Sequence, residues 1–255
     1  MRYRISYQLY SSRNFPPLEA QFPILKALGY DAIEPWLPAY EADARGFRRA
    51  LDDAGLACHG FHMPLQGLID EPNRFIDIAL ALGAGYLIPP FVPEEERVAS
   101  PDFWKGIGGT LAEAAERLRP HGLRVAWHNH DFEYAPLPDG SRPIDHILGA
   151  GDDVWFEIDC GWVTRAGADP AAELVRYADR IAFIQMKDTA PPGVTADDGW
   201  TATGDGIIDW PALLPLMRKT AAEHIVAEHD NPADWQRFAD RSINYMRSLG
   251  LAGGN

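Results

Sequence analysis

The sequence predicts a single α/β domain, a (β/α)₈ barrel over residues 1–255. Three observations point to it. Short apolar or β-branched runs recur eight times along the chain, and such runs suit strands buried on both faces. A helix-like segment separates each run from the next, which demands crossover connections and a parallel sheet. Eight such units in about 250 residues is the usual size of this barrel.

The strands are expected near residues 4–10, 32–36, 57–62, 86–90, 124–129, 155–159, 182–187 and 225–229. The first opens the chain in "RISYQLY". The second follows "ILKALGYDAIEPW", a helix end, then Gly29, then a strand. The same punctuation recurs at Gly55 in "RRALDDAGLACHGFHM", at Gly83 and Gly85 in "IALALGAGYLIPPF", and at Gly122 in "AAERLRPHGLRVAWHNH". Glycine just past a helix can take the left-handed conformation that ends it. In the second half, "DVWFEID", "IAFIQMKD" and "HIVAEHD" read as strands. "DPAAELVRYA", "DWPALLPLMRKTAA" and "PADWQRFADRSINYMRSL" read as helices, with Asp169-Pro170 and Asp209-Trp210-Pro211 supplying N-caps and early prolines. No linker or low-complexity segment interrupts the pattern. The polar stretch 187–206 is the one long apparent loop, and such loops in compact domains tend to be functional lids.

Composition narrows the function. Hydrophobic residues make up 46% and charged residues 24%, the balance of a globular protein. The net charge of −14 argues against a nucleic-acid partner, which would want a basic surface. No apolar run approaches a membrane span, and the N-terminal "MRYRISYQLYSS" lacks a signal-peptide core. Cys58 and Cys160 lie inside apolar runs and read as buried small hydrophobes in a reducing compartment. A cytoplasmic protein with a small-molecule partner is expected, and association into a homo-oligomer stays open.

In this barrel the active site lies at the C-terminal ends of the strands. Those ends read, in strand order, Gln8 and Tyr10; Glu34 and Trp36; His59 and His62; His128, Asn129 and His130; Glu157 and Asp159; Gln185, Lys187 and Asp188; Glu228, His229 and Asp230. Strand ends meet water in any barrel, so a single histidine there carries little weight. Two imidazoles, His128 and His130, sharing one side of a strand with Asp159 and Glu228 at neighbouring ends are harder to dismiss. The set, rather than any one member, points to ligand or catalytic chemistry.

The stretches "YQLYSSR", "WHNHDFEY", "EIDCGWVTRAGADP", "IQMKD", "GDGIIDW" and "VAEHD" resemble the xylose-isomerase-like barrel family. The likeness covers nearly the whole chain in the same motif order, and the branch with an "HNHDFEF"-like fifth strand is most similar. The family's members are described as sugar-phosphate isomerases and epimerases. The resemblance implies a divalent metal held by Glu, Asp, His and Glu from strands five to eight. Carried over, these positions are His128, Asp159, Gln185 and Glu228. Two depart from the pattern: His128 replaces a Glu, a change that branch shares, and Gln185 replaces a His. A neutral amide oxygen is a poor ligand for Zn or Co but tolerable for Mg or Mn. Mn or Mg is therefore expected, held weakly or lost because of Gln185, with His130 or Glu157 as neighbours that could repair the site.

Epimerising or isomerising a ketose removes a proton next to a carbonyl and forms an enediolate, whose charge a chelated metal stabilises. Glu228 is the expected base, as the resemblance implies, with Lys187 stabilising an enediolate oxygen or else held in a salt bridge with Asp188, Asp159 or Glu228. His62 and His130 are candidates for substrate hydroxyl contacts or proton return. Gln8, Glu34 and Trp162 are expected to touch the substrate, Trp162 by stacking on a sugar face. The absence of a glycine-rich phosphate loop, and the acids flanking "TGDGIID", favour an unphosphorylated sugar or keto-sugar. The expected activity is a sugar isomerase or epimerase. The alternatives are a keto-sugar dehydratase or lyase of the same family, or a non-catalytic sugar-binding barrel with a degenerate metal site. A DNA endonuclease of the same superfamily is disfavoured by the acidic surface.

Overall fold

The computed structural model describes residues 3–251. Eight parallel strands form the barrel: β1 (Arg4–Gln8), β2 (Ala32–Glu34), β3 (Gly60–His62), β4 (Tyr86–Ile88), β5 (Arg124–His128), β6 (Val154–Asp159), β7 (Ile181–Gln185) and β10 (His224–Ala227). Their order around the sheet is β2-β1-β10-β7-β6-β5-β4-β3. Single bridges Ala32–Ala57 and Trp36–His62 join β2 to β3 and bring the two ends of the sheet together. A short antiparallel hairpin, β8 (Asp188–Thr189) with β9 (Trp200–Thr201), completes the strands.

A helix lies in every crossover. The longest, Pro101–Leu118, buries Trp104, Leu111 and Leu118 against the sheet. Asp43, Asp169, Asp209 and Asp234 cap helices with their carboxylates, as the sequence predicts for two of them. Gly55 ends the helix Ala44–Ala54 at φ +72°, a left-handed conformation that costs other residues more. Among the described residues no helix is long and apolar enough to cross a membrane.

Alternation sorts the strand residues. On β6, Val154, Phe156 and Ile158 pack outward into the main core, while Trp155 joins the barrel interior. Glu157 and Asp159 continue the inward series on the same strand. Inside, Ile88, Ala126, Phe183 and Val226 form an apolar plug. Above that plug the interior turns polar, with Gln8, Glu34, His62, His128, Glu157 and Gln185 all buried.

Three local differences from the sequence expectation have physical causes. Strands β1, β2, β4, β5, β7 and β10 each end one or two residues early, at Gln8, Glu34, Ile88, His128, Gln185 and Ala227. Beyond these points backbone amides leave the ladder for side chains: Tyr10 N–H donates to Gln8 Oε1 and His229 N–H to Ser11 Oγ. His59 belongs to the opposite end of the barrel, not the site. Its strand begins at Gly60, so His59 precedes the ladder and packs on His224 at 4.6 Å, ring to ring. Finally, the stretch 187–206 is folded rather than loose. Buried Asp188 accepts hydrogen bonds from the N–H groups of Thr189, Gly204 and Ile208 and from Trp210 Nε1 at 2.9–3.3 Å.

That anchor has a measurable weight. Asp188→Ala strands four donors, that of Trp210 buried and the other three part-buried, and a buried donor left unpaired costs about 1–3 kcal/mol. Relaxation and water entry will recover part of this, so a loss of about 3 kcal/mol is expected in urea unfolding. A loss below about 1 kcal/mol would show that the hairpin is held by something else.

Candidate active site

The site is built in two tiers at the C-terminal face. The lower tier joins β1, β2, β3 and β6. His62 Nε2 lies 2.8 Å from Glu157 Oε2 and 3.3 Å from Glu34 Oε1. Gln8 Nε2 donates to Glu34 Oε1 at 2.8 Å, and Gln185 Nε2 donates to the same oxygen at 3.4 Å. Burial opposes a charge on His62, but the attraction of Glu157 and the hydrogen bonds that Glu157 and Glu34 accept from the ring outweigh it, lifting it to about 10. Burial and the neighbouring Glu34 push Glu157 well above the usual carboxylate range. His62 therefore keeps its proton, facing Glu157 and Glu34.

The upper tier comes from β5, β6, β10 and the turns beyond them. His128, Asp159 and Glu228 each offer a ligand atom, and these atoms lie within 4.8 Å of one another. His128 Nδ1, Asp159 Oδ2 and Glu228 Oε2 are all buried with no hydrogen-bond partner, as is Gln185 Oε1. Buried polar atoms without partners are costly, so these need an explanation. Burial holds His128 well below the usual imidazole range, so the ring is neutral and free to donate a lone pair. One neutral imidazole and two carboxylates are a donor set for a divalent ion. The orphaned atoms and their mutual distances fit such an ion. A second group, His62, His128 and Glu157, also lies within this distance, but there His62 Nε2 and Glu157 Oε2 already pair with each other at 2.8 Å.

Lys187 lies just after β7, fully buried. Its Nζ is 2.6 Å from Asp230 Oδ1, 3.6 Å from Glu228 Oε1 and 4.0 Å from Asp159 Oδ2. Burial opposes its charge, yet Glu228, Asp230 and Asp159 together raise its pKa, so it stays an ammonium. Of the salt-bridge partners expected from the sequence, Glu228 and Asp159 are present at longer range. Asp188 is turned into the hairpin, and Asp230 makes the short contact. Burial lifts Glu228 above the usual carboxylate range despite Lys187 beside it.

Around these groups stand aromatic rings. Trp162 packs on His130 and on Trp200, with centroids at 5.0 and 4.7 Å, and Lys187 Nζ lies 4.7 Å from Trp162 and 4.2 Å from Trp200. Gly161 makes this approach possible: a Cβ there would meet the Lys187 carbonyl oxygen at 2.8 Å. A cavity of about 340 Å³ opens over the group, lined by Tyr10, Trp36, His128, His130, Trp162 and Glu228 among others.

His128 and His130 do share a side. Their rings are 5.0 Å apart, although the strand ends at His128. Asn129 points the other way and clamps the backbone of Asp159, accepting from its N–H at 2.9 Å. Burial lowers His130 to about 3, so it is a neutral ring. Three contributors have a larger part here than the sequence alone assigns them. Glu157 was weighed only as a substitute metal ligand, Asp230 was only a strand-end acid, and Trp200 sat unremarked in the polar stretch "TADDGWTAT". A lone tryptophan among acids and small residues was the available signal for the last.

Buried acids, imidazoles and one lysine thus converge above the C-terminal face of an eight-stranded barrel, with a donor set that could hold a divalent ion. Residues 22–249 match the Xylose isomerase-like TIM barrel family, and the chain belongs to it. It is 28% identical over 131 residues to the rhizopine catabolism protein MocC of Rhizobium meliloti, covering 46% of this chain and 39% of that protein. It is 23% identical over 162 residues to an inosose dehydratase of Clostridium beijerinckii, covering 55% of this chain and 53% of the other. The chain thus spans about half the length, or less, of these curated relatives. Over 99% of its length it superposes on a crystal structure of a sugar phosphate isomerase/epimerase from Parabacteroides distasonis, covering 98% of that chain, with TM-score 0.84 at 18% identity. A Xylose isomerase-like TIM barrel protein from Mycobacterium smegmatis, solved in complex with magnesium, matches with TM-score 0.73 at 18% identity, covering 98% of this chain and 97% of that one. At such identities the structural likeness establishes the shared fold.

Proposed function

We propose that the protein is a sugar isomerase or epimerase that removes a proton next to the carbonyl of an unphosphorylated keto-sugar or related polyol ketone. The observation that carries this reading is the convergence of His128, Asp159 and Glu228, with unpaired buried ligand atoms, beside the ammonium of Lys187. His128, Asp159 and Glu228 would hold a divalent ion, with Gln185 offering a weak oxygen. When bound, such an ion supplies Lewis-acid polarisation of the substrate carbonyl.

The chain's own residues do the rest. Glu228, raised toward neutrality by burial, takes the proton from the carbon beside the carbonyl. Lys187 faces the negative charge that then develops on oxygen, and its three acidic neighbours keep it protonated for that task. His62, charged and lining the cavity, returns a proton. Gln8 and Glu34, expected from the sequence to touch the substrate, do not line the cavity and instead hold His62 in place from below. His130, neutral, and Trp162 wall the sugar and exclude water. The dehydratase reading shares the first step and is favoured by the inosose dehydratase relatives. It differs in the fate of the intermediate, which loses a hydroxyl instead of regaining a proton.

The deciding experiment is proton exchange. The protein, loaded with Mn²⁺, is incubated in D₂O with a panel of inososes and ketoses and followed by proton NMR. Deuterium should enter the carbon beside the carbonyl. A product with changed stereochemistry or carbonyl position identifies an isomerase, and a dehydrated product identifies a lyase. No exchange with any member of the panel would sink the proton-abstraction reading.

A further inference from the structure

Lys187 faces the charge that develops on the substrate, yet it has no open surface. The side chain is fully buried and does not line the cavity of about 340 Å³ that opens over the site. A substrate oxygen in that cavity meets the ammonium only after a covering group moves. The rings of Trp162 and Trp200 lie over Nζ, with centroids at 4.7 and 4.2 Å. Trp162 belongs to the helix Cys160–Arg165, whose N-terminus Asp159 caps at 2.9 Å, so moving it would disturb the ligand group itself. Trp200, 2% exposed, sits instead on the β8–β9 hairpin.

That hairpin has one firm end and one lightly held end. The firm end is Asp188, with its four accepted hydrogen bonds. At the other end Ala190 N–H donates to Gly199 O at 3.0 Å, and residues 191–196 are exposed. Among the described residues two hydrogen bonds tie the stretch 190–199 to the rest of the barrel. Arg165 Nη2 donates to Asp198 O at 3.0 Å, and Ala233 N–H donates to Asp197 Oδ1 at 3.2 Å. His229 adds a hydrogen bond to the Trp200 backbone. The Arg165 guanidinium also lies 3.2 Å from the Trp200 ring centroid, so one side chain grips both the tip and the covering ring. Asp197 and Asp198 have φ of 51° and 59°. Two successive left-handed residues that are not glycine cost energy and persist only where surrounding contacts enforce them. The closed hairpin is thus strained at the point where Arg165 holds it.

We propose that residues 189–201 are a gate over Lys187, swinging on the Asp188 clamp and latched shut by Arg165. The proposal rests on the function proposed above only for the reason that the ammonium must be reached. Opening lifts Trp200 from Lys187 and admits the substrate. Closing returns the ring, excludes water and leaves the ammonium facing the bound oxygen. The left-handed pair raises the closed arrangement toward the open one, so that few contacts decide between them.

Two variants of the full chain attack the closed gate by different means. Arg165→Ala removes the latch. Asp198→Val keeps the carbonyl that Arg165 grips and puts a β-branched residue where the backbone is left-handed. Asp198→Asn, which tolerates that conformation, is the control. Two readings are taken by mass spectrometry at saturating Mn²⁺. One is acetylation of Lys187 by acetic anhydride, relative to the exposed Lys105. The other is amide hydrogen exchange across 189–201, relative to the barrel strands. Arg165→Ala and Asp198→Val should each raise both rates at least about fivefold, the weight of one lost hydrogen bond. Asp198→Asn should leave both near the wild-type values. Acetylation of Lys187 that stays at the wild-type level in both variants, including none in any form, overturns the proposal. Faster exchange in the hairpin without faster acetylation also overturns it, because the hairpin then moves without uncovering the lysine. A rise in both that is matched by the barrel strands assigns the exposure to unfolding and overturns it too. Neither reading uses a substrate: a gate that passes while no sugar exchanges its proton would remove the function proposed above and leave the gate standing.

Discussion

Glu228→Gln should abolish turnover and stabilise the protein at once. The amide keeps the shape of the side chain and removes its basicity. Loss of a positioned general base costs about 10²–10⁴ in kcat, read at saturating Mn²⁺ because Glu228 is also one of the two anionic groups that would hold the ion. The stability change follows from the raised pKa. In the metal-free fold, burial holds Glu228 above its ordinary range. Such a group is neutral in both states at low pH. As pH rises past the unfolded value, the unfolded chain ionises first, and stability falls until the folded pKa is passed. The amide avoids that penalty. Lys187 keeps its 2.6 Å contact with Asp230, so the variant does not strand the ammonium. Thermal unfolding in chelator should show a gain of about 0.5–2 kcal/mol at neutral pH, the size of common stabilising changes. The gain should vanish in acid. Wild-type turnover in the variant would remove Glu228 as the base, and equal stability at every pH would remove the account of its environment.

Metal affinity should move in opposite directions at two positions. Asp159→Asn keeps the helix cap, because the amide oxygen can still accept from Trp162 N–H as the carboxylate does at 2.9 Å. It removes one of two anionic donors. The loss in Mn²⁺ affinity should exceed the roughly 10–100-fold seen when only an outer partner of a ligand is changed. Gln185→His should tighten binding, on the order of tenfold, because a nitrogen donor replaces a neutral oxygen at that position. Calorimetric titration reads both. Undiminished affinity in Asp159→Asn would take the carboxylate out of the site. Unchanged or weaker binding in Gln185→His would mean that the side chain stays with Glu34, to which it already donates.

The barrel was legible because its signals are local. A glycine after each helix and a short apolar run beyond it can be read within a dozen residues. The direction of the strand ends was legible for the same reason, and it brought His128, Asp159, Lys187 and Glu228 into one list. Pairings across the barrel were not legible. Glu34, His62 and Glu157 meet from β2, β3 and β6, and only the closed sheet sets that contact. Lys187 chose Asp230 over three nearer-sounding partners, because the chain turns after β7 and carries Asp188 into the hairpin. Trp200 reaches Lys187 only because that hairpin folds back over the barrel mouth. His59 was misplaced through a strand read three residues too early, which in a parallel barrel exchanges one end of the cylinder for the other.

Two overlapping ligand groups share His128, one with Asp159 and Glu228 and one with His62 and Glu157. Anomalous scattering from crystals of the full chain soaked in Mn²⁺ distinguishes them most directly. The account predicts one peak bounded by His128, Asp159 and Glu228, within reach of Gln185 Oε1. A peak among His62, His128 and Glu157, or no peak at saturating Mn²⁺, would contradict it.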